Sequence, residues 1–169
     1  MGVVKKREGS MKKRNLIFVF LVLTGCSSVE GYIVDKEDGR ILIVNPEPIT
    51  YGESKKSNEH YDAVWVSTND KKYELGQKVK AYYNNIEESY PGQARSNRIK
   101  VLGSNKPNKA DLSEQDVIKL LLSEQEELLV PAIKKINYSA ESDNWDITVV
   151  TDGEELNFQI EDEASRDEY

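Results

Sequence analysis

From residue 30 to residue 102 the apolar positions either alternate with polar ones or fall in short β-branched runs, the period-2 signature of strands. The stretch "GYIVDKEDGRILIV" reads as a hairpin around Glu37-Asp38-Gly39, where Gly39 supplies the positive φ of a tight turn. "YDAVWVS" sets Val64 and Val66 on one face and Ala63 and Trp65 on the other. "LGQKVKAYY" separates Val79, Ala81 and Tyr83 from Lys78, Lys80 and Tyr82, and "NRIKVL" separates Ile99 and Val101 from Arg98 and Lys100. Roughly five such strands predict a small closed barrel, OB-like in form, because closure removes the exposed edges of a short sheet.

The pattern then changes. "GSNKPNKA", residues 103–110, gathers turn-forming residues and reads as a linker between two modules. Beyond it, Val117, Leu120 and Leu121 recur at helical spacing behind Ser113, which forms a capping box with Asp116, and Pro131 stops the helix. Three strand-like runs follow, "AIKKINYSA", "NWDITVVT" and "ELNFQI", joined by hairpin connections of which Asp152-Gly153 is the stronger. A helix laid on this antiparallel meander makes residues 111–160 a small α+β module, burying Val117, Leu121, Ile136, Tyr138, Ile147, Val149, Phe158 and Ile160 together. Residues 161–169 are too acidic and too poor in apolar groups to fold, and read as a disordered tail.

A different apolar run lies near the beginning. Lys12, Lys13 and Arg14 precede "LIFVFLVL", a positive segment feeding a short hydrophobic one, as in a secretory signal. Its apolar core is far short of the roughly 20 residues that a spanning helix needs. Leu23-Thr24-Gly25-Cys26 then resembles the lipobox of bacterial prolipoproteins. That resemblance implies residues 1–25 as a signal peptide, cleavage between Gly25 and Cys26, and a diacylglycerol on the Cys26 thiol. Two acyl chains anchor stably where one binds only marginally. Residues 26–29 then form a lipidated tether with a reach of about 14 Å at roughly 3.5 Å per residue. A tether so short favours a membrane-proximal partner such as an envelope protein.

Charge sharpens the division. From Cys26 onward there are 17 basic and 29 acidic residues, net −12. This balance argues against nucleic acid, whose binding draws on Lys and Arg against phosphates. The blocks differ, with residues 26–70 at −5, 71–109 at +6 and 110–169 at −13. Opposite signs of this size imply either two modules that dock on each other or an electropositive patch awaiting a partner.

The segments "GYIVDKEDGRILIV", "YDAVWVS", "LGQKVKAYY" and "ESYPGQA" resemble the YobA-like group of small secreted lipoproteins of Gram-positive bacteria, over about residues 30–102. The resemblance implies a secreted β-rich domain of unknown function on the extracytoplasmic face of the cell membrane, and brings no ligand or catalytic residue. Residues 110–169 have no counterpart in it. Within the barrel, "NNIEESYPGQARSNR" is the candidate surface, and Trp65, Tyr82, Tyr83, Glu88, Tyr90, Gln93 and Arg95 are the candidate binding residues, since polar loops on a rigid barrel are common ligand sites.

Catalytic chemistry is sparse. His60, in "YGESKKSNEHY", reads as a flexible surface imidazole, and a single cysteine excludes a redox pair or a Cys-based zinc site. The acidic stretches lack the spacing of a calcium loop, so no metal and no cofactor is expected. The reading that follows is a non-enzymatic binding module, with a peptidoglycan-related enzyme or accessory subunit using Glu87, Glu88 and Tyr90 as the alternative. Met11 alone opens a compact signal, so translation is expected to start there; a precursor peptide containing residues 2–7, found by mass spectrometry, would contradict this.

Overall fold

The computed structural model describes residues 27–49 and 59–163. The signal segment, Gly25, Cys26 and residues 164–169 of the acidic tail lie outside the described residues.

Five strands close into a barrel: β1 (Ser27–Glu37), β2 (Arg40–Ile49), β3 (His60–Ser67), β4 (Lys78–Glu87) and β5 (Gly92–Val101). Their order around the barrel is β1-β2-β3-β5-β4, with β3 and β5 parallel and the remaining pairs antiparallel. Alternation works as expected inside. Val29, Ile33, Ile41, Ile43, Val64, Val66, Val79, Ala81 and Tyr83 fill the interior. Gly39, at φ 77°, turns β1 into β2. At Gly31 the two strands approach so closely that a Cβ would lie 2.0 Å from the Val44 carbonyl oxygen, which requires glycine.

The outer residues of β1, β2 and β3 are buried as well. Tyr32, Val34, Leu42, Val44, Tyr61 and Ala63 form a second cluster with the helix α1 (Glu114–Glu124) and the sheet β6 (Ala132–Ser139), β7 (Asn144–Thr151) and β8 (Glu154–Glu161). This explains why "YIV" and "ILIV" are unbroken apolar runs: a strand covered on both faces has no polar side to present. The two modules therefore dock, and they dock through apolar surface. Among the described residues the ion pair across this junction is Lys134 to Glu59, 2.8 Å, too exposed to contribute much.

The second module follows its sequence pattern. Ser113 caps α1, its hydroxyl accepting from the Asp116 N–H while the Asp116 carboxylate accepts from the Ser113 N–H at 2.9 Å. Val117, Ile118 and Leu121 are the buried face of the helix. Ile147 and Val149 are buried with them, and Ile136, Tyr138, Phe158 and Ile160 pack at the margin. Asp152 and Gly153, both at positive φ, make the β7–β8 hairpin turn.

Three expected boundaries move. The tether does not exist as a free segment, because Ser27, Ser28 and Val29 already pair with Tyr83, Tyr82 and Ala81. Residues 103–110 are fixed in place: Asn105 accepts from the Glu114 N–H at 2.9 Å, the Ser104 hydroxyl accepts from the Gln115 N–H, and Ala110 is buried. The tail also begins later than residue 161. Glu161 ends β8, and Asp162 is only 2% exposed, the one buried charged side chain among the described residues.

Asp162 is buried because three donors converge on it. Its carboxylate accepts from the Asp111 N–H at 2.5 Å, the Leu112 N–H at 2.9 Å and the indole N–H of the fully buried Trp145 at 2.8 Å. Desolvation pushes this carboxyl up, yet the hydrogen bonds from Asp111, Trp145 and Leu112 together outweigh it and hold it below the ordinary value. A lowered folded value stabilises above the unfolded value of about 3.9, and that stability is lost as pH falls through the folded value. Asp162→Asn is thus expected to lower stability by about 3 kcal/mol near neutrality, because a neutral amide accepts these bonds less strongly. The deficit should shrink in urea unfolding repeated near about pH 3; a deficit that stays constant with pH would contradict the role given to the charge.

Candidate functional site

Strand directions bring five chain segments to one end of the barrel. The start of β1, the end of β2, the start of β3, the end of β4 and the β4–β5 connection all lie there, because Ile49 pairs with His60, Ser27 with Tyr83 and Val64 with Gly92. β4 continues four residues past Tyr83, through bulges at Tyr82/Tyr83 and Tyr83/Ile86, so the β4–β5 hairpin overhangs the barrel. Ile86 bends back over Gly92, where a Cβ would come 2.7 Å from the Ile86 Cδ1.

At this end His60 is the hub. It is the first residue of β3, and its imidazole lies tilted against the Tyr90 ring with centroids 5.0 Å apart. The flexible loop position expected of it is corrected by that strand pairing and ring contact. Tyr90 is 57% exposed and stands between two hollows. One, about 370 Å³, is lined by His60, Asp62, Ile86, Glu88 and Tyr90 among others. The other, about 230 Å³, runs from His60 and Tyr90 to Leu129 and the Asp152-Gly153 turn. Of the exposed large apolar residues, Ile49, Ile86, Tyr90 and Leu129 all border His60, and only Val101 lies elsewhere among the described residues. Partial burial, then the Asp62 and Asp152 carboxylates, raise the Tyr90 phenol above its ordinary value.

The other candidate residues divide between neighbouring surfaces. Gln93 and Arg95 line a polar groove of about 720 Å³ with Asn84, Asn85 and Glu87. Glu88 belongs to the hollow beside Tyr90. Trp65, on the outer side of β3, carries the Arg40 guanidinium 4.7 Å above its ring and borders a cleft of about 430 Å³ with Leu122, Leu128 and Pro131. Tyr82 faces outward on β4 beneath Arg98, 4.9 Å from the ring centroid. Tyr83 is no binding residue, because the alternation of β4 turns it into the barrel, where burial and then Asp62 raise its phenol.

His60, Leu129 and the Asp152-Gly153 turn border this candidate site without being among the candidate binding residues, whereas Ile86 lies within the candidate segment 84–98. Tertiary assembly leaves Ile86 and Leu129 exposed around one ring. Among the described residues no three His, Cys, Asp or Glu side chains are placed to hold a metal, and no helix is long and apolar enough to cross a membrane.

Residues 30–103 match the model of a family described as "Protein of unknown function (DUF3221)". The barrel is similar to this family over the matched span. The match spans β1 to β5 and coincides with the YobA-like resemblance carried by the strand segments and "ESYPGQA". A crystal structure of a yobA protein from Bacillus subtilis subsp. subtilis str. 168 is similar at 21% identity, covering 47% of this chain and 97% of that one with a TM-score of 0.33, which adds no argument of its own. No curated protein matches the chain. The match names no function for the barrel and leaves residues 104–169 outside the matched span.

Truncation separates the two kinds of tyrosine. Tyr83→Ala should cost about 3–5 kcal/mol in urea unfolding, as for a large core side chain, whereas Tyr90→Ala should change stability by about 0.5 kcal/mol or less, as at the surface. Equal losses at both positions would contradict the assignment of Tyr90 to a free surface.

Proposed function

We propose that this chain is a lipid-anchored, extracytoplasmic binding module of a Gram-positive-type bacterium. A diacylglycerol on Cys26 holds it at the cell membrane, and the barrel end around Tyr90 and His60 takes a ligand or an envelope protein partner. One observation carries the reading. The chain enters β1 at Ser27, immediately after Cys26, at the same end of the barrel as the exposed aromatic and aliphatic surface. An anchor at residue 26 leaves that surface at the membrane without an intervening tether, within reach of a partner there.

The occupied outer face of the barrel supports the same reading. OB barrels that bind oligonucleotides or oligosaccharides use the face of strands 2 and 3. Here Leu42, Val44, Tyr61 and Ala63 on that face are buried under α1 and the second sheet. Binding is left to the barrel end, and nucleic acid is disfavoured as a partner. The envelope-enzyme alternative calls for a carboxyl held protonated by its surroundings. The resolved carboxylate shifts, at Glu59, Asp70, Asp116 and Asp162, are all downward.

Two measurements test the reading. Labelled palmitate should enter the wild-type chain and not Cys26→Ser. A photoreactive side chain at position 90 should cross-link a discrete envelope component, while the same group at the exposed Asp146 should not; alternatively, peptidoglycan fragments or short oligosaccharides should shift amides saturably within residues 84–95. Absence of label in the wild type, or indiscriminate cross-linking from both positions with flat spectra, would overturn it.

A further inference from the structure

Four of the nine cations in the basic block, Lys78, Lys80, Arg98 and Lys100, lie on the outer side of β4 and β5, which the second module leaves largely bare. On the outer side of β4 and β5, Lys80 faces Lys100 and Tyr82 faces Arg98 across the ladder, with Lys78 one rung away. β1 extends this face with Glu30 and Ser28 beside Lys80 and Tyr82, while Tyr32, beside Lys78, is buried at the margin of the second module. Arg98 and Lys80 lie over the Tyr82 ring, at 4.9 and 6.0 Å, and Lys78 lies 5.6 Å from the Tyr32 centroid. Glu30, 3.2 Å from Lys80, is the face's ion-paired carboxylate. No carboxylate of the described residues pairs with Lys78, Arg98 or Lys100.

Two like charges opposite each other in a sheet repel, and Glu30 answers Lys80 while Lys100 has no such partner among the described residues. The second module does not cover them. It lies against the outer side of β1, β2 and β3, with β2 against β6. Its many carboxylates therefore form no ion pair with Lys78, Arg98 or Lys100, and a Debye length of about 8 Å at physiological salt limits what they contribute from across the barrel.

The position of the chain's start selects the occupant. The rung of Ser28, Tyr82 and Arg98 is the outward rung nearest the start of β1, and residue 26 is two positions from Ser28. We propose that the outer face of β4 and β5 docks on anionic lipid headgroups, with Lys78, Lys80, Arg98 and Lys100 against the phosphates and Tyr82 at the interface. This rests on the lipid attachment at Cys26 and deepens it, since the anchor and the cationic face together set one orientation of the barrel on the bilayer. A lipid anchor reinforced by basic residues is a stable two-signal attachment.

The test supplies the anchor chemically. The chain from Cys26 onward, which contains every described element, is coupled through the Cys26 thiol to a maleimide lipid in vesicles of phosphatidylcholine alone or mixed with phosphatidylglycerol. Acetylation of Lys78, Lys80 and Lys100 is then followed by mass spectrometry, with the exposed Lys119 and Lys135 as references. On phosphatidylglycerol vesicles the three amines should react about fivefold more slowly, the factor expected of an attraction of about 1 kcal/mol per cation. The effect should vanish in high salt and on phosphatidylcholine. Arg98→Gln should weaken the protection at Lys80 while leaving the far-ultraviolet spectrum unchanged. Unprotected amines on phosphatidylglycerol, equal protection on both lipids, or protection by soluble polyphosphate but not by vesicles would each overturn the proposal. Because the thiol coupling replaces the cell's own lipidation, this outcome is independent of the palmitate result.

Discussion

Everything in this molecule follows from the burial of β1, β2 and β3 on both faces. A five-stranded barrel of this size has a thin interior, here a column of Val, Ile and Ala side chains closed by Tyr73 and Tyr83. Small domains bury too little of their surface to be comfortably stable alone. The chain answers by placing a second apolar layer, from Tyr32 to Ala63, against α1 and the three-stranded sheet. One sequence feature, the unbroken run "ILIV", thereby belongs to two cores at once, with Ile41 and Ile43 in one and Leu42 and Val44 in the other.

That arrangement decides which surfaces remain for function. The β2–β3 face is spent on internal packing, so the barrel meets the outside through its overhanging β4–β5 hairpin and through the bare outer side of the same two strands. The hairpin brings aromatic and aliphatic groups around His60, and the strand face brings the cations. Both lie beside the point where the chain enters β1, so the proposed binding and docking surfaces meet at one end of the barrel. Asp162 serves the opposite purpose, fixing Trp145 and the segment before α1 to the end of β8.

Local signals were legible wherever a neighbour in sequence determines the structure. Alternation in "YDAVWVS" and "KVKAYY", the Ser113–Asp116 capping box and the Asp152-Gly153 turn each specify their element through short-range geometry, and each is found as read. The closed barrel and the helix-plus-meander were legible for the same reason. Illegible were features that depend on a partner far along the chain. Asp162 reads as one more acid in an acidic tail, because the three donors that bury it lie at 111, 112 and 145. The opposite charges of the two modules invite electrostatic docking, yet the modules meet through apolar side chains that the charge count does not register.

The two tryptophans allow the shared core to be tested directly, since Trp65 reports on the barrel and Trp145 on the second sheet. Trp145→Phe leaves the first reporter and Trp65→Phe the second. Urea unfolding of each variant would be followed by tryptophan fluorescence and, on the same samples, by far-ultraviolet circular dichroism. One cooperative unit predicts that the fluorescence and dichroism transitions coincide in both variants. A fluorescence midpoint displaced from the dichroism midpoint in either variant would show that the two layers unfold separately, and the account of a barrel held by its second module would be wrong.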